Sequence, residues 1–81
     1  MDSSGEMAAF VRSVELGGFS AAARSLGLTP SALSKLVSRL EGRLGVRLLN
    51  RTTRKLVLTL EGEAFYLRCQ RILSEIREAE T

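Results

Sequence analysis

Small hydroxyl and cationic side chains recur on one face of a predicted helix that begins near residue 30. At about 100° per residue, this face holds Ser31, Ser34, Lys35 and Ser38, with Arg39 at its margin. Serines are unfavourable on an ordinary solvent-facing helix, where longer helix formers are usual. Hydroxyl, ammonium and guanidinium groups can hydrogen-bond to base edges in the major groove of DNA. The face is therefore interpreted as a DNA-reading surface, and the alternative is an incidental polar face.

Positive charge is concentrated in the middle of the chain. Residues 24–55 contain eight Lys and Arg against Glu41 alone, whereas residues 1–23 and 56–81 each carry a net charge of −2. A basic segment of this kind is expected where a protein binds a polyanion such as DNA. The competing interpretation is a solvated basic face without a partner.

The inventory of reactive side chains argues against most other chemistry. The chain has no histidine, and Cys69 is its only cysteine. An intrachain disulfide and a zinc cluster of thiolates and imidazoles are therefore excluded, and we predict no metal and no cofactor. An enzyme is disfavoured because a base that works near neutral pH and a nucleophile elbow are both missing. Cys69 is interpreted as a small apolar residue in a helix seam rather than as a redox sensor.

Length and composition indicate one small globular domain. The 81 residues are 44% hydrophobic and 26% charged, which is typical of a soluble fold. A core of this size gives marginal stability, so self-association is plausible. No apolar run approaches the ~20 residues that span a bilayer, and the first residues do not form a basic signal-peptide start. We therefore expect a cytoplasmic protein without a membrane partner.

The first predicted helix has an apolar face with i, i+3, i+4, i+7 spacing. Its members are Met7, Phe10, Val11 and Val14. The helix should end at Gly17 and Gly18, because glycine closes a helix in the left-handed conformation at little steric cost.

Two start signals follow, for a second and a third helix. Phe19 before Ser20 is typical of an apolar staple followed by an N-cap, and Gly27 should end the short helix that results. Thr29 and Pro30 form the next start signal, since the hydroxyl can cap free N–H groups and proline fits the first helical turn. A short helix, a glycine turn and a second helix with a small polar face constitute a helix-turn-helix, whose second helix enters the major groove.

A hairpin is predicted after Gly45, which should close the third helix. Two short strands, Leu48–Asn50 and Leu56–Leu58, flank a tip that carries three cations. The tip residues are Arg51, Thr52, Thr53, Arg54 and Lys55. This segment is interpreted as a wing.

A last helix is predicted to begin after Thr59 as its N-cap. Its apolar residues have the 4-3-4-3 spacing of a helix that packs on another helix. They are Phe65, Cys69, Ile72, Ile76 and Ala79. We interpret them as a dimerisation stripe, with Leu60, Ala64 and Leu67 available to face the domain's own core. The alternative is that the stripe itself packs on its own domain.

A series of short motifs follows these elements along the chain: Phe10-Val11, Gly18-Phe19-Ser20-Ala21-Ala22-Ala23, Leu26, Leu28-Thr29, Ser31-Ala32-Leu33-Ser34, Leu40-Glu41, Leu44-Gly45, Leu48-Leu49, Arg51-Thr52, Leu58-Thr59 and Gly62. In these residues the sequence resembles the DNA-binding domain of LysR-type bacterial transcriptional regulators over nearly the whole chain. The resemblance implies a mainly α fold: a winged helix-turn-helix at residues 1–59, with a three-helix core and a two-stranded wing, then a long dimerising linker helix at 60–81. It also implies a larger C-terminal domain that binds a small-molecule inducer, so we expect this chain to be an N-terminal fragment. Family members commonly have Gln where this chain has Pro30, so the usual operator preference does not carry over.

The expected partner is double-stranded operator DNA, bound by a homodimer. Phosphate contacts are expected from Ser20 at the start of the second helix and from Arg39, base contacts from Lys35, and minor-groove or phosphate contacts from Arg54. The full set of expected DNA-binding residues is Ser20, Thr29, Pro30, Ser31, Ser34, Lys35, Ser38, Arg39, Arg51, Thr52 and Arg54. A protein-interaction module is the main rival function, although the third helix offers serines and cations instead of large apolar anchors.

Overall fold

The computed structural model describes residues 4–51 and 56–81, which form four helices and a two-stranded sheet. The helices are α1 (Ser4–Leu16), α2 (Phe19–Leu26), α3 (Pro30–Leu44) and α4 (Leu60–Ala79). The strands β1 (Leu49–Arg51) and β2 (Leu56–Leu58) pair antiparallel, with Leu49 opposite Leu58 and Arg51 opposite Leu56. The predicted mainly α winged helix-turn-helix is confirmed.

The ends of α3 are fixed by the local signals that the sequence shows. The Thr29 hydroxyl oxygen accepts a hydrogen bond from the backbone N–H of Ala32 at 3.1 Å, and Pro30 is the first helical residue. At the other end, Gly45 has φ of 72°, which a residue with a side chain rarely adopts. Its N–H donates to the carbonyl of Glu41 at 2.8 Å. The predicted boundaries of this helix are therefore confirmed.

Helix α2 and strand β1 begin at other residues than predicted. Gly18 rather than Ser20 is the N-cap of α2, because the carbonyl of Gly18 already accepts from the N–H of Ala22 at 3.3 Å. Ser20 is thus the second helical residue. Strand β1 begins at Leu49 rather than Leu48, whose N–H donates to the Glu41 carboxylate and whose carbonyl accepts from Thr59. The N-cap of α2 thus lies two residues before the predicted one. The strand β1 is displaced by one residue at both ends, so Arg51, predicted at the hairpin tip, belongs to the strand and pairs with Leu56.

Phe10 of α1 lies at the centre of the core, where α1 packs against α2, α3 and α4. Its ring centroid is 5.9 Å from that of Phe65 and 6.3 Å from that of Tyr66, which it meets edge-on. Such tilted and edge-on pairs are favourable beyond the area they bury. From α3, the inward side chains Leu33, Val37 and Leu40 are fully buried against this centre, as their helical spacing predicts.

The prediction for the faces of α4 is wrong in its first half. Cys69 is fully buried in the domain's own core and is therefore not available to a dimer seam, and Phe65 is partly buried because it packs on Phe10. Leu60 and Leu67, which the spacing makes available to the core, are 83% and 65% exposed instead, and Ala64 is exposed as well. The reason is that α1 covers the Phe65 and Cys69 face. Beyond Cys69 the stripe emerges, since Ile72 and Ile76 are 41% and 39% exposed.

The position of Cys69 also bears on the predicted division of the chain into residues 1–59 and 60–81. The boundary coincides with the start of α4. The first half of α4 nevertheless shares the core of the helix-turn-helix through Cys69. The assignment of DNA binding to residues 1–59 and of dimerisation to residues 60–81 therefore stays a prediction.

Burial raises the pKa of the Cys69 thiol from 9.0 to about 11. Below about pH 9 the thiol is neutral in both the folded and the unfolded chain. Above it the unfolded chain loses the proton first, so the free energy of unfolding is expected to fall between about pH 9 and 11, by up to about 2 to 3 kcal/mol. Chemical denaturation over this range, on the native protein and on Cys69→Ala, measures the effect. The variant should lack this fall, and equal slopes in both proteins would contradict the prediction.

Candidate nucleic-acid interface

The outer face of α3 presents polar and cationic side chains to solvent. Ser31, Lys35, Ser38 and Arg39 are exposed, and Ser34 is half-buried. The buried leucines and Val37 on the opposite side fix the rotation of the helix about its axis. The predicted face is therefore a real surface of the folded domain, rigidly supported from behind.

Two further predicted contact residues, Thr29 and Pro30, are exposed at the start of α3. The Thr29 oxygen is already the acceptor for the helix cap, and it lies 3.5 Å from the Ser31 hydroxyl oxygen. Ser20 is exposed in the first turn of α2. Hydroxyl groups therefore lie at the starts of both helices of the helix-turn-helix.

Glu41 and Arg51 form an ion pair at the base of the wing. The guanidinium Nη2 of Arg51 donates to Glu41 Oε1 at 3.3 Å and to the Ser38 hydroxyl oxygen at 3.3 Å. Glu41 Oε2 accepts from the backbone N–H groups of Leu48 and Leu49 at 2.8 and 3.2 Å. Sequence reasoning missed Glu41, although its position as the sole acid among the cations of residues 24–55 was a signal.

A shallow groove runs beside this pair, between the end of α3 and the start of β1. Arg47 and Arg51 line it together with Ser38 and Gly42. Of the basic segment, Arg43 lies elsewhere and forms an ion pair with Glu6 of α1. The groove therefore brings cations next to the exposed face of α3.

Thr52 and Arg54, the two predicted contacts at the tip of the hairpin, lie outside the described residues. The other nine predicted DNA-binding residues belong to α2, α3 and β1 or to the α3 cap. Among them the structure joins Ser38 to Arg51 and Thr29 to Ser31.

Across residues 4–51 and 56–81, no group of three or more His, Cys, Asp or Glu side chains could hold a metal ion. No helix in that part of the chain is both long and apolar enough to cross a membrane. A second groove, between α1 and α4, has a mixed lining of apolar and polar side chains: Ala8, Val11, Arg12, Glu15, Gln70, Leu73, Ile76 and Arg77, with Leu26 of α2.

Known sequences with the same pattern are bacterial regulators. Residues 5–63 match the family described as bacterial regulatory helix-turn-helix protein, lysR family. The transcriptional regulator CrgA of Neisseria meningitidis is 55% identical over 76 residues, which are 94% of this chain and 25% of CrgA. The chain thus spans about a quarter of the length of such relatives.

Solved structures agree with the sequence match. The BenM DNA-binding domain in complex with catB site 1 DNA superposes with a TM-score of 0.91 at 33% identity, covering 98% of this chain and 84% of that one. The CbnR DNA-binding domain in complex with DNA gives a TM-score of 0.90 at 31% identity, with coverages of 99% and 91%. The chain belongs to the LysR family of bacterial regulatory helix-turn-helix proteins and carries the DNA-binding domain of that family.

Proposed function

We propose that this domain binds operator DNA sequence-specifically, with α3 in the major groove and the wing on the minor groove or the backbone. The observation that carries the proposal is the outer face of α3, where exposed serines and cations stand on a helix anchored by a buried apolar face. Small side chains allow the helix backbone to lie deep in a groove, and the cations can reach guanine or phosphate. The BenM and CbnR DNA-binding domains, which have the same fold, were solved as complexes with DNA.

A protein partner on the same face is the rival function. Protein interfaces are enriched in aromatic and large apolar anchors at their centre. The exposed face of α3 consists of Ser31, Lys35, Ser38 and Arg39. This composition favours a polyanion over a protein. The similarity to proteins named as transcriptional regulators favours a regulatory role over an enzymatic one.

Selection of bound sequences from a random DNA pool would test the proposal directly and define the operator. Enrichment of one motif is the expected result, and it would supply the specific DNA for the experiments below. No enrichment, combined with no retention of random DNA at low salt, would remove DNA as the partner.

Lys35→Ala is expected to reduce sequence discrimination. A lost base contact should cost about 1 to 3 kcal/mol on the selected operator and much less on scrambled DNA, because only the operator presents the matching base edge. Titrations of both DNAs at one salt concentration measure the difference. Arg71→Ala removes the same charge from an exposed position on α4 and serves as the matched control.

Arg54→Ala should behave differently, because a wing residue on the minor groove or the backbone contributes to binding of any sequence. We expect it to weaken operator and scrambled DNA together. If Lys35→Ala and Arg54→Ala lose discrimination equally, or only Arg54→Ala does, α3 is not the reading element.

We further propose that the domain forms a homodimer through α4. Support comes from Ile72, Ile76 and Ala79, which are exposed beyond the part of the stripe that α1 covers. Exposed apolar residues at helical spacing are typical of an interface between helices. The buried Cys69 and the partly buried Phe65 would act chiefly by holding α4 on its own domain.

Ile72→Asp is therefore expected to shift the protein from dimer to monomer, since it introduces a charge into the proposed helix–helix seam. Sedimentation velocity at micromolar concentrations measures the shift. Leu67→Asp makes the same change at a more exposed position of α4, away from Ile72, and should leave the dimer intact. A monomeric native protein, or equal effects of both variants, would refute the seam.

The response to a small-molecule inducer is proposed for the larger C-terminal domain that the family resemblance implies. It is assigned to no residue of this chain.

A further inference from the structure

We infer that Glu41 and Arg51 act together as a clamp that holds the wing strand β1 against α3, and that Arg51 positions the reading surface instead of contacting phosphate. This inference rests on the proposed DNA binding. It gives Arg51 a different role from the direct DNA contact expected from the sequence.

The first observation is that Glu41 holds the start of the wing. Its Oε2 accepts from two successive backbone N–H groups, those of Leu48 and Leu49, at 2.8 and 3.2 Å. Glu41 itself belongs to α3, and its side chain is only 13% exposed. Hydrogen bonds to an ionised acceptor are about twice as strong as neutral ones. The carboxylate therefore fixes β1 to the helix at the point where the strand begins.

The second observation is that Arg51 joins three elements at one guanidinium. It lies in β1, donates to Ser38 and Glu41 of α3, and stands with Cζ 5.2 Å from the ring centroid of Phe19, the first residue of α2. A guanidinium over an aromatic face is attracted by the ring. The two helices of the helix-turn-helix and the wing thus meet at this side chain.

The third observation concerns charge. Arg51 already has its counter-ion, because Glu41 Oε1 lies 3.3 Å from Nη2. If the Arg51 guanidinium moved to a phosphate, the mostly buried Glu41 carboxylate would lose its counter-ion while lying close to the negatively charged DNA backbone. Leaving a buried charge unpaired is energetically costly. The Glu41–Arg51 pair therefore carries almost no net charge to attract DNA, and keeping the ion pair intact is favoured over moving Arg51 to a phosphate.

The fourth observation concerns Ser38, on the exposed face of α3. Its oxygen accepts the N–H of Arg51 at 3.3 Å, which leaves the hydroxyl proton to be donated outward. A hydroxyl oriented before binding loses less conformational freedom when the complex forms. The clamp thereby acts on sequence specificity through Ser38, which lies on the face of α3 proposed to enter the major groove of DNA.

The test uses two changes that preserve net charge, Arg51→Lys and the double variant Glu41→Gln/Arg51→Gln. Affinity for the selected operator and for scrambled DNA is measured over a range of salt concentrations, below the thermal unfolding transition of each variant. We expect both variants to bind the operator about tenfold more weakly, with unchanged affinity for scrambled DNA and an unchanged salt slope, because positioning is lost and no phosphate contact is. Lysine does not restore binding because an ammonium cannot hold Ser38 and Glu41 and stack on Phe19 at once.

Arg39→Gln is the positive control for the slope, since a lost phosphate contact reduces the log–log salt slope by about 0.9 per site. If Arg51 itself contacts phosphate, Arg51→Lys will bind like the native protein and the double variant will lose that increment of slope. Either result, or native binding by both variants, overturns the clamp. A merely structural role would lower the melting temperature and weaken binding to both DNAs in proportion, which also overturns it. Failure of the native protein to bind DNA at any salt concentration would instead refute the proposed function.

Discussion

Gly62→Ala is expected to destabilise the domain by about 3 kcal/mol or more, at the upper end of the cost of overpacking a core. An added Cβ would lie 2.0 Å from the carbonyl oxygen of Leu48 and 3.1 Å from Leu58 Cδ2. The Leu48 carbonyl cannot easily move aside, because it accepts the N–H of Thr59 at 3.0 Å. Relief of the clash would therefore require α4 to shift away from the wing. For a domain of this size the corresponding fall in melting temperature is roughly 12 to 24 °C.

Gly42→Ala is the matched control for this change. Gly42 also lies within a helix, but nothing stands within 4 Å of the Cβ it would gain. Alanine there should stabilise the fold by about 0.5 to 1 kcal/mol, the ordinary helix preference. Thermal denaturation followed by circular dichroism compares the two. Similar melting temperatures for both variants would mean that the close approach of α4 to Leu48 does not persist in solution.

The helix boundaries that could be predicted from the sequence are those set by local chemistry. Thr29 and Thr59 cap the helices that follow them, and Gly27 and Gly45 close the helices before them, because each acts within about four residues of itself. Ser20 shows the limit of this reasoning. A hydroxyl near a helix start is a plausible cap, but a glycine carbonyl two residues earlier took the first helical hydrogen bond.

The faces of α4 and the role of Glu41 could not be predicted, for a different reason. Helical spacing shows that Phe65 and Cys69 share a face, but it does not show whether α1 or a second chain covers that face. Glu41 acquires its role only when β1 folds back on α3 and brings two backbone N–H groups to its carboxylate. Both depend on tertiary packing, which periodicity and capping signals do not encode.

Salt should have the largest effect on DNA binding. A dimer that presents the basic segment twice is expected to contact about 6 to 10 phosphates, which gives a log–log slope of affinity against salt of roughly −5 to −9. Between about 50 and 200 mM salt, affinity should then fall by roughly 10³- to 10⁵-fold. Arg43 and Arg51 are ion-paired within the described part of the domain. The contacts are therefore expected chiefly from Arg24, Lys35, Arg39, Arg47 and the two cations of the hairpin tip, Arg54 and Lys55.

Fluorescence anisotropy titrations on operator DNA at a series of salt concentrations measure this slope. The dimerisation variant Ile72→Asp provides an internal control, because a monomer carries one basic segment and should show about half the native slope on a half-site. A slope near zero for the native protein would remove DNA as the partner and favour a protein ligand for the face of α3. A native slope equal to that of the monomeric variant would mean that only one domain of the dimer contacts the phosphates of the duplex, and that the second domain adds no phosphate contacts to the affinity.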